Sequence, residues 1–86
     1  MNLQKIKSIV QDLVCQMVDQ EACVEIIAND LSQRNTEIVI GVHPDDIKLV
    51  IGKGGKNINA IRTILYAVAA KSNKLCFVVC EKSSLN

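Results

Sequence analysis

The 86-residue chain reads as an α+β fold in the order α-β-β-α-α-β, a three-stranded mixed sheet with three helices packed on one face. Three observations predict it. Apolar residues recur at helical spacing near the start and again in the second half. Two alternating runs are joined by a short polar connection, as in an antiparallel hairpin. Two helical segments then separate the second alternating run from a third strand-like run, supplying the crossover that a parallel pair needs. At 49% apolar residues, one domain over residues 1–86 can build a core across about 3–81 without disulfides or metal.

The first helix runs from about Leu3 to Val18, because Leu3, Ile6, Ile9, Val10, Leu13, Val14, Met17 and Val18 make one apolar face. Asp19, Gln20 and Glu21 end it. Ala22, Val24, Ile26 and Ala28 alternate with Cys23, Glu25 and Ile27, predicting the first strand. Polar residues 29–35 connect it to a second strand, Thr36 to Val42, with Ile38, Ile40 and Val42 on its inner face. His43-Pro44-Asp45-Asp46 starts a helix: proline suits the first helical position, and carboxylates in the first turn favour the dipole. Ile47, Val50 and Ile51 stripe this two-turn helix, which Gly52 stops. The next helix spans about Lys56 to Lys71, with Ile58, Ile61, Leu65 and Val68 facing the core. Ser72-Asn73 breaks it, and Leu75 to Cys80 is the third strand. The second strand is expected to be central, antiparallel to the first and parallel to the third.

A net charge of +1 conceals an asymmetry. Residues 1–46 carry three basic against eight acidic side chains. Residues 47–86 carry seven basic side chains (Lys48, Lys53, Lys56, Arg62, Lys71, Lys74 and Lys82) against Glu81 alone. Such a half-chain attracts polyanions, although a solvated face of helix lysines gives the same count. Tyr66 and Phe77 are the only aromatic residues. That argues against folds that read nucleic acid on aromatic platforms.

Val50-Ile51-Gly52-Lys53-Gly54-Gly55-Lys56 carries most of the functional information. Three glycines in four positions open backbone conformations closed to other residues and let another molecule come close. Two lysines share the loop, and a helix follows at once, an arrangement suited to a sugar-phosphate backbone. A nucleotide-binding P-loop does not fit. Aligned on Gly55-Lys56, it puts Val50 where the first glycine belongs and Asn57 where the hydroxyl belongs, and the loop leaves a helix instead of a strand.

The run Asp45-Asp46-Ile47-Lys48-Leu49-Val50-Ile51-Gly52-Lys53-Gly54-Gly55-Lys56, continuing through Ile61-Arg62-Thr63-Ile64-Leu65-Tyr66, resembles the KH RNA-binding module. The leading helix and hairpin make it similar to the type II arrangement, and to the small stand-alone bacterial KH proteins of the KhpA type in particular. The resemblance implies a cytoplasmic protein that binds single-stranded RNA, acting as an RNA chaperone or post-transcriptional regulator. It implies a larger partner of the KhpB or Jag type, and a link to cell shape and the cell wall. It also implies the site: Gly52, Lys53, Gly54 and Gly55 against sugar-phosphate, with Lys56 and Arg62 as counter-charge. Ile47, Val50, Ile51 and Ile58 would form an apolar floor for bases, with core packing the competing role for all four and the favoured one for Ile47 and Ile58. Val39 is a weaker groove candidate.

A second helical stripe, Ala60, Ile64 and Ala67, is offset from the core face and suits a homodimer seam. The alternative function is thus an interaction or dimerisation module with little RNA binding of its own. Catalysis has little support. Asp45 and Asp46 are adjacent, so on a helix they diverge by about 100°, and the sole histidine, His43, suits a helix boundary. No enzyme, cofactor or metal site is expected. Cys15, Cys23, Cys76 and Cys80 follow no metal or secreted spacing and are expected reduced, with Cys23, Cys76 and Cys80 as small core residues. No stretch is long and apolar enough to span a membrane, and the first residues do not read as a signal peptide.

Overall fold

The computed structural model describes residues 3–84. Helix α1 covers Leu3–Met17, followed by a 3-10 turn at Glu21–Cys23. Strands β1 (Glu25–Asp30) and β2 (Asn35–Val42) form an antiparallel hairpin whose register pairs Ile26 with Ile40 and Ala28 with Ile38. A 3-10 turn at Pro44–Asp46 leads into α2 (Ile47–Ile51), and α3 (Lys56–Ala70) follows the glycine loop. Strand β3 (Leu75–Lys82) pairs parallel to β2, from Asn35 beside Leu75 to Val42 beside Lys82. The sheet order is β1-β2-β3, with β2 central as its sequence position between hairpin and crossover requires.

Alternation along the strands divides the sheet into two unlike faces. Thr36, Ile38, Ile40 and Val42 of β2 are all fully buried beneath the helices, together with Ile26, Cys76 and Val78 from the flanking strands. Ile6, Val10 and Val14 of α1, Val50 of α2, and Ile61, Leu65 and Ala69 of α3 complete this core. The opposite face leaves Ile27, Phe77 and Val79 partly exposed. The one hydroxyl of the inner face is satisfied: Thr36 Oγ1 donates to Asp30 Oδ1 at 2.9 Å.

Four details depart from the sequence reading. The first strand begins at Glu25, not Ala22, because the Cys23 and Val24 N–H groups close the turn onto Gln20 and Glu21. Ile9 and Leu13 stand out from the buried stripe of α1, at 55% and 38% exposed. Val68 is 40% exposed, and Ala69 takes its place in the core. At about 100° per residue, position 69 returns to within about 20° of Ile58, whereas 68 lies some 80° away. Cys80 is half-buried where Cys23 and Cys76 are buried.

The carboxylate of Asp46 ties the two halves of the molecule together. It is 2% exposed, and its Oδ2 accepts the Gln20 N–H at 2.9 Å across 26 residues. The end of α1 is thereby pinned to the start of α2. His43 Nδ1 accepts the Asp45 N–H at 3.1 Å, so the histidine serves as the cap of this turn. At the far end of α3, Asn73 takes φ 57 and the Lys74 N–H donates to Ala69 O at 3.0 Å, a left-handed helix closure.

Candidate nucleic-acid interface

The glycine loop leaves α2 through Gly52 at φ 76, ψ 167, a region essentially closed to residues with a Cβ. A Cβ there would sit 2.6 Å from Asn57 Cγ and 2.8 Å from Asn57 N. Asn57 occupies that space because its Nδ2 donates to Leu49 O at 2.9 Å, closing the last turn of α2 from the first turn of α3. The Gly55 N–H then donates to Gly52 O at 3.0 Å, folding the four residues into a tight turn. Gly54, at φ 65, is the outward apex, and a Cβ on it would meet nothing within 4 Å. Lys53 and Lys56 flank this apex, both exposed and without an ion pair among the described residues. The positive end of the α3 dipole lies beside them.

Behind the loop, a groove runs between α3 and the outer edge of β3. Its first part, about 420 Å³, is lined by Ile51 and Gly55 from the loop side, Ile58, Asn59 and Arg62 from α3, and Val79 and Cys80 from β3. A second part, about 530 Å³, continues along the same wall and shares Asn59, Arg62 and Val79 with the first. Arg62 stands where the two parts meet. Its Nε and Nη2 donate to Val78 O at 3.1 and 3.0 Å, and its Nη1 donates to Asn59 Oδ1 at 3.0 Å. Of the five N–H groups of a guanidinium, two remain to donate elsewhere.

The four apolar residues read as a floor have different environments. Ile51, half-buried, and Ile58, buried at 6% exposed, both line the groove, so Ile51 offers most of the apolar surface and Ile58 packs chiefly as core. Val50 is fully buried within the core cluster, so it has no surface to offer a base. Ile47 is half-buried, packs against that cluster, and lines neither part of the groove. Val39 lies in the central strand with its side chain on the far face of the sheet, away from α3. Sequence reasoning did not single out the residues of the strand wall, Phe77, Val79 and Cys80, nor Asn59, Thr63 and Tyr66 on α3. Asn59 and Tyr66 carried a usable signal, since they lie three residues before and four after Arg62 on one helix face.

The stripe Ala60, Ile64 and Ala67 is exposed, with Ile64 at 53%. Ile64 lies beside Ile9 and Leu13 of α1 around an open depression of about 700 Å³. Among the described residues no three His, Cys, Asp or Glu side chains cluster as metal ligands. All four cysteines are free thiols. Burial pushes the Cys76 and Cys80 thiols up, with Glu81 adding to the effect at Cys80, which keeps them protonated and poorly nucleophilic near neutral pH. No described helix is long and apolar enough to cross a membrane.

Comparison with known proteins bears on this arrangement. The family described as KhpA/KhpB, KH domain, matches residues 7–79. The chain is 34% identical over 73 residues to RNA-binding protein KhpA of Oceanobacillus iheyensis, covering 84% of this chain and 95% of that protein. It is 34% identical to RNA-binding protein KhpA of Halalkalibacterium halodurans, covering 79% of this chain and 88% of that protein. Against RNA-binding protein KhpA of Bacillus subtilis the identity is 30%, covering 83% and 86%. No solved structure gives a significant match.

Proposed function

The chain belongs to the KhpA/KhpB KH-domain family, and from that premise we propose that it binds single-stranded RNA in the groove between α3 and β3. The observation that carries this reading is the loop at the mouth of the groove. Three glycines at positive φ present an apex free of side-chain bulk, with Lys53 and Lys56 exposed on either side. Sugar-phosphate approaches Gly52, Lys53, Gly54 and Gly55 closely, and the lysines neutralise phosphate charge. Bases enter the groove over Ile51 and Ile58. Arg62 directs its two remaining N–H groups at the strand. A duplex keeps its bases stacked and paired inside, so the groove favours unpaired RNA.

The test replaces Lys53 and Gly54 together by aspartate. Gly54 is open to solvent on its Cβ side and Lys53 is exposed, so the fold persists while two carboxylates face phosphate. Binding of single-stranded RNA, followed by fluorescence polarisation, is expected to vanish at unchanged circular dichroism. For the native protein, three phosphate contacts give a log–log salt slope of about −2. Unchanged affinity in the double variant, a flat salt response, or preference for duplex each overturns the reading.

The same family membership supports a finer proposal. The protein acts in the cytoplasm as an RNA chaperone or post-transcriptional regulator, beside a larger KH-containing partner of the KhpB or Jag type, in control of cell shape and cell wall. Four free thiols suit a reducing compartment. A second reading, a dimerisation or scaffold module, is favoured by one observation. Exposed Ile64 of α3 lies with Ile9 and Leu13 of α1 around one open depression, and Ala60 lies with Ile64 and Leu13 around a neighbouring one. The two readings are compatible if RNA and partner use different faces of α3.

A further inference from the structure

The chain has two aromatic residues, one tyrosine and one phenylalanine, and no tryptophan. They are 11 positions apart, on different elements, yet both line the second part of the groove. Tyr66 lies on the α3 wall and Phe77 on the β3 wall, each with about half of its surface exposed (48% and 46%). Exposing both aromatic side chains in one open groove has no packing benefit. The remaining lining is polar: Asn59, Arg62 and Thr63. The Thr63 hydroxyl is occupied, donating to Asn59 O at 2.9 Å, whereas Arg62 keeps two N–H groups in hand.

We infer that this second part of the groove is a nucleobase subsite, taking an unpaired base beyond those held next to the glycine loop. The base lies against the Tyr66 ring and over the β3 edge at Phe77, whose side chain leaves from the outer face of the sheet, and a base or phosphate oxygen accepts from Arg62. The inference rests on the single-stranded RNA reading above. Its volume of about 530 Å³ falls in the range of small-ligand pockets, about 300–1,000 Å³. Stacking is tolerant of base identity because every base has a π-face, so the subsite adds affinity and fixes the length of RNA bound. The hydrogen bonds from Arg62 to Val78 O keep its guanidinium between loop and rings, so one strand of RNA passes from the lysines to the aromatics without a gap in counter-charge.

The experiment measures binding of the full chain to single-stranded oligouridylates of increasing length, native and with one abasic residue placed at each position in turn. Tyr66→Ala and Phe77→Ala are compared with Tyr66→Leu and Phe77→Leu, which keep apolar bulk and guard against loss of fold. Either substitution is expected to weaken binding of the longer RNA by roughly 5- to 150-fold. Binding of a four-nucleotide RNA should be unchanged, and one abasic position should cost the native protein the same factor while costing the Tyr66 variants nothing more. Tyr66 is the only tyrosine, so its intrinsic fluorescence, corrected for absorption by the RNA, should fall on binding the longer RNA only. Equal affinity of native and ring variants for every length overturns the subsite and leaves the loop reading standing. Loss of all binding in the native protein overturns both.

Discussion

Gly52 and Gly54 of the loop should differ sharply in what a single methyl group costs. Gly54→Ala puts a Cβ into open space at φ 65, ψ 18. Only the left-handed backbone opposes it, at about 1–2 kcal/mol. Gly52→Ala meets three penalties at once. Its φ 76, ψ 167 lies where only glycine is comfortable, worth about 1–3 kcal/mol. The new Cβ would stand 2.8 Å from the backbone N of Asn57, which no rotamer change relieves, and 2.6 Å from Asn57 Cγ. Moving that side chain breaks its bond to Leu49 O, about another 1 kcal/mol. With the backbone clash added, the expected total is about 3–5 kcal/mol, above the roughly 1–2 kcal/mol at Gly54. Urea unfolding followed by circular dichroism reads both, provided the slope m is shared. Each kcal/mol should also lower Tm by about 4–8 °C. Equal losses, or a costlier Gly54→Ala, would refute the loop geometry described above.

Other substitutions test other parts of the molecule. Ile64→Asp should turn a dimer into a folded monomer by light scattering, since Ile64 is 53% exposed and removes little from the core; a variant that stays dimeric disproves the α3 seam. Asp46→Ala should cost about 1–3 kcal/mol, because the Gln20 N–H loses its acceptor in a site only 2% exposed. Melting temperature reads it, and an unchanged value contradicts the tie between α1 and α2. Thr36→Val should be nearly neutral if Lys74, 3.6 Å from Asp30, already partners that carboxylate; a loss of several kcal/mol would show the hydroxyl to be essential.

The parts of this molecule legible in its sequence are those set by local chemistry. Pro44 after His43 and two aspartates announced a helix start, and Gly52 announced its stop, because caps and glycine torsions act over a few residues. Order and pairing of the strands followed from connection lengths. The groove was half legible. Its loop side is contiguous in the chain, but its strand side exists only because β3 pairs with β2 across some forty residues, which sets Val79 and Cys80 opposite Ile58. Nothing in the composition of Leu75–Cys80 says which edge α3 will leave uncovered. Val50 shows the converse limit. On a helix of five residues the buried and groove-facing positions differ by a single step, and packing against α3 and β3 decided between Val50 and Ile51.

Strand β3 is the outer strand of the sheet on the groove side, and outer strands invite other chains to add to them. At its midpoint the Val78 carbonyl already accepts two N–H groups from Arg62, so a foreign strand arriving there would have to displace a charged side chain held at both ends. Arg62 thereby occupies the carbonyl that an added strand would need. Removing it should leave a protein that folds yet is prone to fibril formation on storage, quite apart from any change in what the groove can bind.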